Sequence, residues 1–146
     1  MKKLISLLAG AFLFATHANA TVVITGDSGG YIDEFLHKYE VIRASGDQVI
    51  VAGPCSSACT TMLGIIPDSK ICATTGGVFG FHSGMVMLPG QPKSGRYSPF
   101  WTQVMWEGYP ERVRKLLRSL GWNGGPHPSL IMIRATDIVQ PCPAGS

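Results

Sequence analysis

Residues 49–64 constrain the fold of this chain more than any other stretch. The β-branched apolar run Val49-Ile50-Val51 favours a buried strand, and Gly53-Pro54 ends that run. The residues between Ser57 and the stop at Pro67 favour a helix. The stretch therefore predicts a strand, a sharp turn and a helix that begins with a serine.

A serine at a helix N-terminus has neighbouring backbone N–H groups without helical partners and lies at the positive end of the helix dipole. Such groups can stabilise a developing oxyanion, as an acyl-transfer nucleophile requires. A simpler alternative is that Ser57 only caps its helix. The turn by itself leaves both interpretations open.

The first twenty residues predict export. They contain Lys2 and Lys3, an apolar run over residues 4–15, and Ala18-Asn19-Ala20 in an A-x-A arrangement, which together are typical of a secretory signal peptide. The sequence thus predicts a signal peptide over residues 1–20 and one compact domain over residues 21–146, periplasmic or secreted. The apolar run is shorter than the ~20 residues that span a bilayer, so we expect no membrane contact after cleavage.

Charge and glycine patterning argue against several function classes. Loss of Lys2 and Lys3 lowers the formal net charge from +3 to +1, and no dense basic patch suggests a nucleic-acid partner. The glycine turn over residues 26–30 matches neither a dinucleotide fingerprint nor a Walker loop. We therefore expect no cofactor and no nucleic-acid partner, and leave a homo-oligomer open.

Four cysteines lie in the predicted mature region. An even number in an exported chain favours disulfides, and three pairings are possible. Zinc binding is the competing interpretation, but only two of the four are close in sequence, so no metal site is predicted. A nucleophilic cysteine near the same helix is a third option, which an oxidising compartment disfavours. The four residues are Cys55, Cys59, Cys72 and Cys142.

The order of elements predicts an α/β fold. A strand over residues 21–25, the glycine turn, an amphipathic helix that ends near Gly46, and the strand over residues 49–53 form a βαβ unit of a parallel sheet. Further along, the patterns predict strands over residues 71–74 and 78–82, a loop over 84–99, helical character over 101–120 divided at Pro110, and a strand or buried turn over 130–133.

Element lengths bring His82 back to the level of Ser57. The predicted helix carries the chain about 15 Å away from Ser57, and the two strands that follow return it by a similar distance. The carboxyl edge of a parallel sheet is where reacting groups collect, and the glycine turn lies on the same edge. We therefore expect a nucleophile, a base and backbone donors together, although each alone also has a purely structural explanation.

Three segments resemble successive landmarks of the ClpP/crotonase-like superfamily, especially its Clp-type serine peptidases. They are Thr25-Gly26-Asp27-Ser28-Gly29-Gly30, Pro54-Cys55-Ser56-Ser57-Ala58-Cys59 and Phe79-Gly80-Phe81-His82. The resemblance implies a ClpP/crotonase-like parallel sheet of βαβ units with flanking helices. It also implies Ser57 as nucleophile, His82 as general base, and the N–H groups of Gly30 and Ala58 as oxyanion hole. The 25 residues from Ser57 to His82 (82 − 57) match that family.

The chain also departs from the family pattern. Ser-Gly-Gly stands in place of Ser-Pro-Gly-Gly, two cysteines flank the nucleophile, and the mature region is shorter than a Clp subunit. The resemblance covers roughly residues 22–83. Asp137 is the candidate third member of a triad, with a surface or capping role as its alternative, whereas Glu107 and Glu111 are typical of a solvated helix face.

These observations lead to two main hypotheses. The first is an exported serine hydrolase, a peptidase or esterase, that uses a Ser–His pair and a backbone oxyanion hole. Its expected substrate is a peptide or small ester. The second is a catalytically silent, disulfide-stabilised binding module of the same fold. A thioester enzyme of crotonase type is disfavoured because coenzyme A chemistry is cytoplasmic.

Overall fold

The computed structural model describes residues 20–88 and 90–144. The predicted signal peptide lies outside these residues apart from Ala20 and stays a prediction. The described residues form a compact mixed α/β structure. Its strands are β1 (Thr21–Ile24), β2 (Gln48–Val51), β3 (Pro54–Ser56), β4 (Ile71–Ala73), β5 (Val78–Phe81), β6 (Met85–Leu88), β7 (Gln91–Tyr97), β8 (Ile131–Arg134) and β9 (Gln140–Pro141), and its helices are α1 (Ile32–Ser45), α2 (Met62–Ile65), α3 (Pro99–Gly108) and α4 (Glu111–Ser119).

The strands form two larger sheets and a hairpin. The first sheet has the order β1-β2-β4-β9 and is parallel throughout, with α1 as the crossover between β1 and β2. The second has the order β3-β5-β8, in which β3 pairs parallel to β5 and β8 pairs antiparallel. The prediction of a mixed α/β fold with a parallel sheet is confirmed, and the antiparallel β8 was not expected.

The chain bends between β2 and β3, where the sequence predicted the end of a strand at Gly53-Pro54 and a sharp turn; the separate short strand β3 was not expected. The N–H groups of Ala52 and Gly53 both donate to the carbonyl of Ile24, at 2.8 and 3.0 Å. A Cβ atom on Gly53 would lie only 2.0 Å from the carbonyl oxygen of Thr25, so no side chain fits there. This close backbone approach moves the chain from the first sheet to the second just before Ser57.

Residues 85–97, expected to be part of a loop, form the antiparallel hairpin β6–β7. The Ser98 N–H donates to the Gly84 carbonyl at 2.9 Å and closes the base of the hairpin. The Ser98 side chain also caps α3 by accepting from the Trp101 N–H at 3.2 Å. The hairpin is thereby fixed to the start of α3.

The helices enclose a single apolar core. Helix α1 buries Tyr39 and Ile42 in this core and packs against α2, and α4 buries Leu117 near the fully buried Trp122. Pro110 separates α3 from α4, as the sequence predicts. Among the described helices, none has the length and apolar character needed to cross a membrane.

All four cysteines are paired, which confirms the disulfide prediction and resolves its pairing. Cys55 bonds Cys59 within the turn that carries Ser57, and Cys72 of β4 bonds Cys142, which follows β9. Two disulfides fit an oxidising compartment.

Candidate active site

Ser57 directly follows β3 and is the first residue of the 3₁₀ helix Ser57–Thr61, at a strained turn. Its φ is 58°, and it is the one residue other than glycine with a positive φ in the described part of the chain. Such a conformation costs about 1–3 kcal/mol and is concentrated at functional sites. A sharp strand-to-helix turn of this kind is also how many hydrolases expose a serine nucleophile. The sequence pattern held no sign of this positive φ.

Two threonine side chains of the 3₁₀ helix hydrogen-bond the backbone of the turn that contains Ser57. The Thr60 hydroxyl donates to the Ser57 carbonyl at 2.6 Å, and the Thr61 hydroxyl donates to the Ala58 carbonyl at 2.7 Å. Thr60 also shares a 2.6 Å hydrogen bond with the buried Tyr109 hydroxyl. The backbone on either side of the Ser57 side chain is therefore held in place by buried polar groups.

Ser56 and Ser57 face different surroundings. A Cβ atom on Gly80 of β5 would lie 2.5 Å from the Ser56 hydroxyl oxygen, so Ser56 packs against that strand and is buried. Ser57 is partly exposed and lines a cleft. Of the two serines, the candidate nucleophile Ser57 is thus the one that lines the cleft, and its role stays a prediction.

The glycine turn packs directly on the serine turn, and Gly29 makes the contact. Its φ is +82°, and a Cβ atom there would lie 2.7 Å from the Ser56 carbonyl oxygen, 2.8 Å from the Ser57 Cβ and 2.9 Å from the Ala58 nitrogen. Only glycine fits both the backbone angle and the space. Sequence analysis named Gly30 and missed Gly29, although two consecutive glycines after a strand were a clue to such an approach.

Asp27 ties the two turns together. Its carboxylate accepts from the Gly29 N–H at 2.9 Å, its own N–H donates to the Pro54 carbonyl at 2.8 Å, and its carbonyl accepts from the Ser56 N–H at 2.8 Å. The Gly29 N–H is thus already hydrogen-bonded within the protein. The Gly30 N–H makes no hydrogen bond with another described residue, which leaves it free for a ligand.

Ser57, His82 and Gly30 line one cleft of about 740 Å³. This volume lies within the usual range of small-ligand sites. One wall is apolar and comes from the start of α1, the β6–β7 hairpin and α3. The described lining residues include one acidic side chain, Asp33, and no lysine or arginine; the apolar wall consists of Ile32, Met85, Val86, Met87 and Trp101.

His82 follows β5 and is partly buried. The next residue is fixed by two hydrogen bonds, because the Ser83 N–H donates to the His127 carbonyl at 2.9 Å and the His127 N–H donates to the Ser83 hydroxyl at 3.2 Å. Among the described residues, no hydrogen bond joins His82 to Ser57. Such catalytic bonds often tighten only when substrate binds.

The structure does not bring the third candidate of the triad into contact with His82. Both carboxylate oxygens of Asp137 accept from the Arg134 guanidinium, at 3.2 Å each. The Nδ1 atom of His82 is buried and has no hydrogen-bond partner in the described residues. Within the part of the chain that the structure describes, the arrangement is therefore a serine and a histidine without an orienting acid.

The surroundings of His82 favour its neutral form. Burial of the imidazole lowers the pKa of His82 below its ordinary value of 6.5; the backbone of Ser83 raises this pKa, and the charge of His127 lowers it. A neutral imidazole is the form that can accept a proton from a serine hydroxyl.

This pKa predicts the pH dependence of any reaction that needs neutral His82. Because the pKa is lowered, the imidazole is still mainly neutral at pH 6.5, and the rate should fall only at lower pH. We expect the rate constant for phosphonylation of Ser57, measured from about pH 5 to about pH 8, to have its midpoint below 6.5. A midpoint at or above 6.5 would contradict the lowered pKa of His82, and a rate that does not change over this pH range would contradict the assignment of His82 as the base.

No family model matches the chain, and it has no significant similarity to a curated protein or to a solved structure.

Proposed function

We propose that this protein is an exported serine hydrolase of ClpP/crotonase-like fold, in which Ser57 is the nucleophile and His82 the general base. The observation that carries the proposal is the positive φ of Ser57, at a strand-to-helix turn against which a glycine turn is packed. Strain of this kind persists only where the surrounding structure enforces it. The presence of His82 in the same cleft supplies a base for it.

The reaction follows from these groups. The Ser57 oxygen attacks the substrate carbonyl while its proton passes to His82, and the N–H groups of Gly30 and Ala58 hold the oxyanion. The bond to the leaving group then breaks, and His82 returns the proton to that group. Water, activated by His82, hydrolyses the acyl-serine and regenerates the enzyme. Without an acid at Nδ1, the imidazolium has less stabilisation, so we propose a slow dyad rather than a full triad.

The cleft favours a peptide or small ester with apolar groups beside the reacting carbonyl. Burial of apolar substrate surface against Met85, Met87 and Trp101 would provide binding free energy. Carboxylate substrates lack a positively charged partner, since no lysine or arginine lies among the described lining residues. A neutral or cationic substrate is therefore favoured.

A fluorophosphonate probe tests the assignment of Ser57. We expect one phosphonyl group per folded molecule by intact mass, with the modification mapped to Ser57. Ser57→Ala should abolish labelling. Ser56→Ala is the matched control and should label at the parent rate, because the Ser56 side chain packs against β5. Equal loss in both variants would show that the wrong serine was chosen.

One observation favours a second candidate, a silent binding module that uses the same cleft. Ser57 and His82 are not hydrogen-bonded to each other, and Nδ1 of His82 has no partner among the described residues. A folded parent protein that does not react with the probe at any pH would favour this binding module over the hydrolase.

A further inference from the structure

The Cys55–Cys59 disulfide encloses the candidate nucleophile. It joins the middle of β3 to the 3₁₀ helix and closes a small ring that contains Ser57. Both cysteines are fully buried, and the Tyr39 hydroxyl donates to the Cys59 sulfur at 3.5 Å. Since the bond lies in the core, reductants do not reach it while the protein is folded.

The regular elements beside Ser57 are too short to enforce its backbone conformation by themselves. Strand β3 has three residues, the 3₁₀ helix five and α2 four. Short 3₁₀ segments have poor hydrogen-bond geometry, and short helices are marginal without tertiary support. Gly29 restrains the turn from one side, and the disulfide links the two residues that flank Ser57 at a distance of two positions.

We propose that the Cys55–Cys59 disulfide is a positioning element for the reaction: it holds Ser57 in its left-handed conformation and keeps the hydroxyl directed into the cleft. This inference rests on the proposed function. The bond takes no part in the chemistry, and its burial makes it a permanent part of the site rather than a redox switch.

The second disulfide supplies a matched comparison. Cys72 and Cys142 join β4 to the residues after β9, and neither lines the cleft. The two bonds span very different lengths of chain, with sequence separations of 4 and 70. Because a longer loop gives the larger entropic stabilisation, the Cys72–Cys142 bond should contribute more to stability and the Cys55–Cys59 bond more to reactivity.

Two double variants separate these roles. Cys55→Ala/Cys59→Ser keeps an acceptor for the Tyr39 hydroxyl, and Cys72→Ala/Cys142→Ser makes the same pair of substitutions at the other bond. For each, the saturable phosphonylation of folded protein gives the affinity for the probe (KI) and the limiting rate (kinact), and thermal unfolding gives Tm.

We expect kinact to fall by about 10- to 100-fold in the Cys55/Cys59 variant, because a small misplacement of a reacting group has effects of this size. KI should stay within about twofold of the parent, since the walls of the cleft are intact. The Cys72/Cys142 variant should show the larger loss of Tm and the kinact of the parent. A merely structural role for both bonds predicts no change of kinact in either folded variant.

The outcomes distinguish this inference from the proposed function. A reactive parent with equal kinact in both variants overturns the positioning role alone, whereas an unreactive parent overturns the hydrolase as well. If the Ala/Ser pair does not fold, Cys55→Ala/Cys59→Val refills the buried volume, and the same loss of kinact is expected. A parent-like kinact in that variant overturns the inference.

Discussion

Replacement of His82 by glutamine should lower the phosphonylation rate of Ser57 by about 10²- to 10⁴-fold, the usual contribution of a general base. Glutamine keeps much of the volume of the imidazole but cannot accept the serine proton at neutral pH. Thermal unfolding should show a folded protein, because His82 makes no hydrogen bond through Nδ1 that the substitution would break. The rate constant from a time course of intact mass is the measurement.

His37 provides the control for this experiment. It lies on the exposed face of α1 and outside the cleft, so His37→Gln changes the number of histidines without touching the site. It should label at the rate of the parent. A His82→Gln protein that labels as fast as the parent would remove His82 from the mechanism and leave Ser57 without a base.

Substitution of Gly29 by alanine should lower the phosphonylation rate of Ser57 by about 10²-fold, the effect of losing one oxyanion donor. The added Cβ would lie within 3 Å of Ser56, Ser57 and Ala58 atoms, and the φ of +82° is unfavourable for alanine. The glycine turn must therefore move away from the serine turn, which separates the Gly30 N–H from the Ala58 N–H. The phosphonylation rate constant and the Tm of Gly29→Ala would be measured beside those of the parent.

Gly26→Ala is the control in the same turn. A Cβ atom on Gly26 would meet nothing within 4 Å, and its φ is outside the left-handed region. We expect Gly26→Ala to have the phosphonylation rate and the Tm of the parent. If both alanine variants react alike, the close packing of Gly29 on Ser57 has no role in the reaction.

The presence of Ser57 and His82 in one cleft could be predicted from the sequence, because it depends on the rise per residue of helices and strands and on a parallel sheet. In the structure, the strands that precede the two residues, β3 and β5, are paired in parallel. Pro110 likewise predicted the division between α3 and α4, since proline at that position cannot continue a helix. These are local or nearly local effects. Both predictions can be made without knowing which residues distant in sequence are in contact.

The features that could not be predicted depend on contacts between distant parts of the chain. The bend at Gly53 follows from its approach to the Thr25 carbonyl, and the positive φ of Ser57 is supported by Gly29 and the Cys55–Cys59 bond. The hairpin was missed because its glycines and prolines are typical of loops, while strand pairing is determined by the facing residues. The pairing of Asp137 with Arg134 is a local salt bridge that the choice of a triad acid did not consider.

The position of β9 has a consequence for the route by which the chain folds. Residues 140 and 141 pair with β4, and the Cys142 N–H donates to the Ala73 carbonyl at 2.9 Å, so the outer strand of the first sheet comes from a segment some 70 positions later. Contacts of such separation form slowly because a long loop must close first. The turn around Ser57 can be cross-linked as soon as Cys59 is present, whereas β4 stays an edge strand until residues 140–142 pair with it. We therefore expect the turn around Ser57 to form before residues 140–142 add to the first sheet.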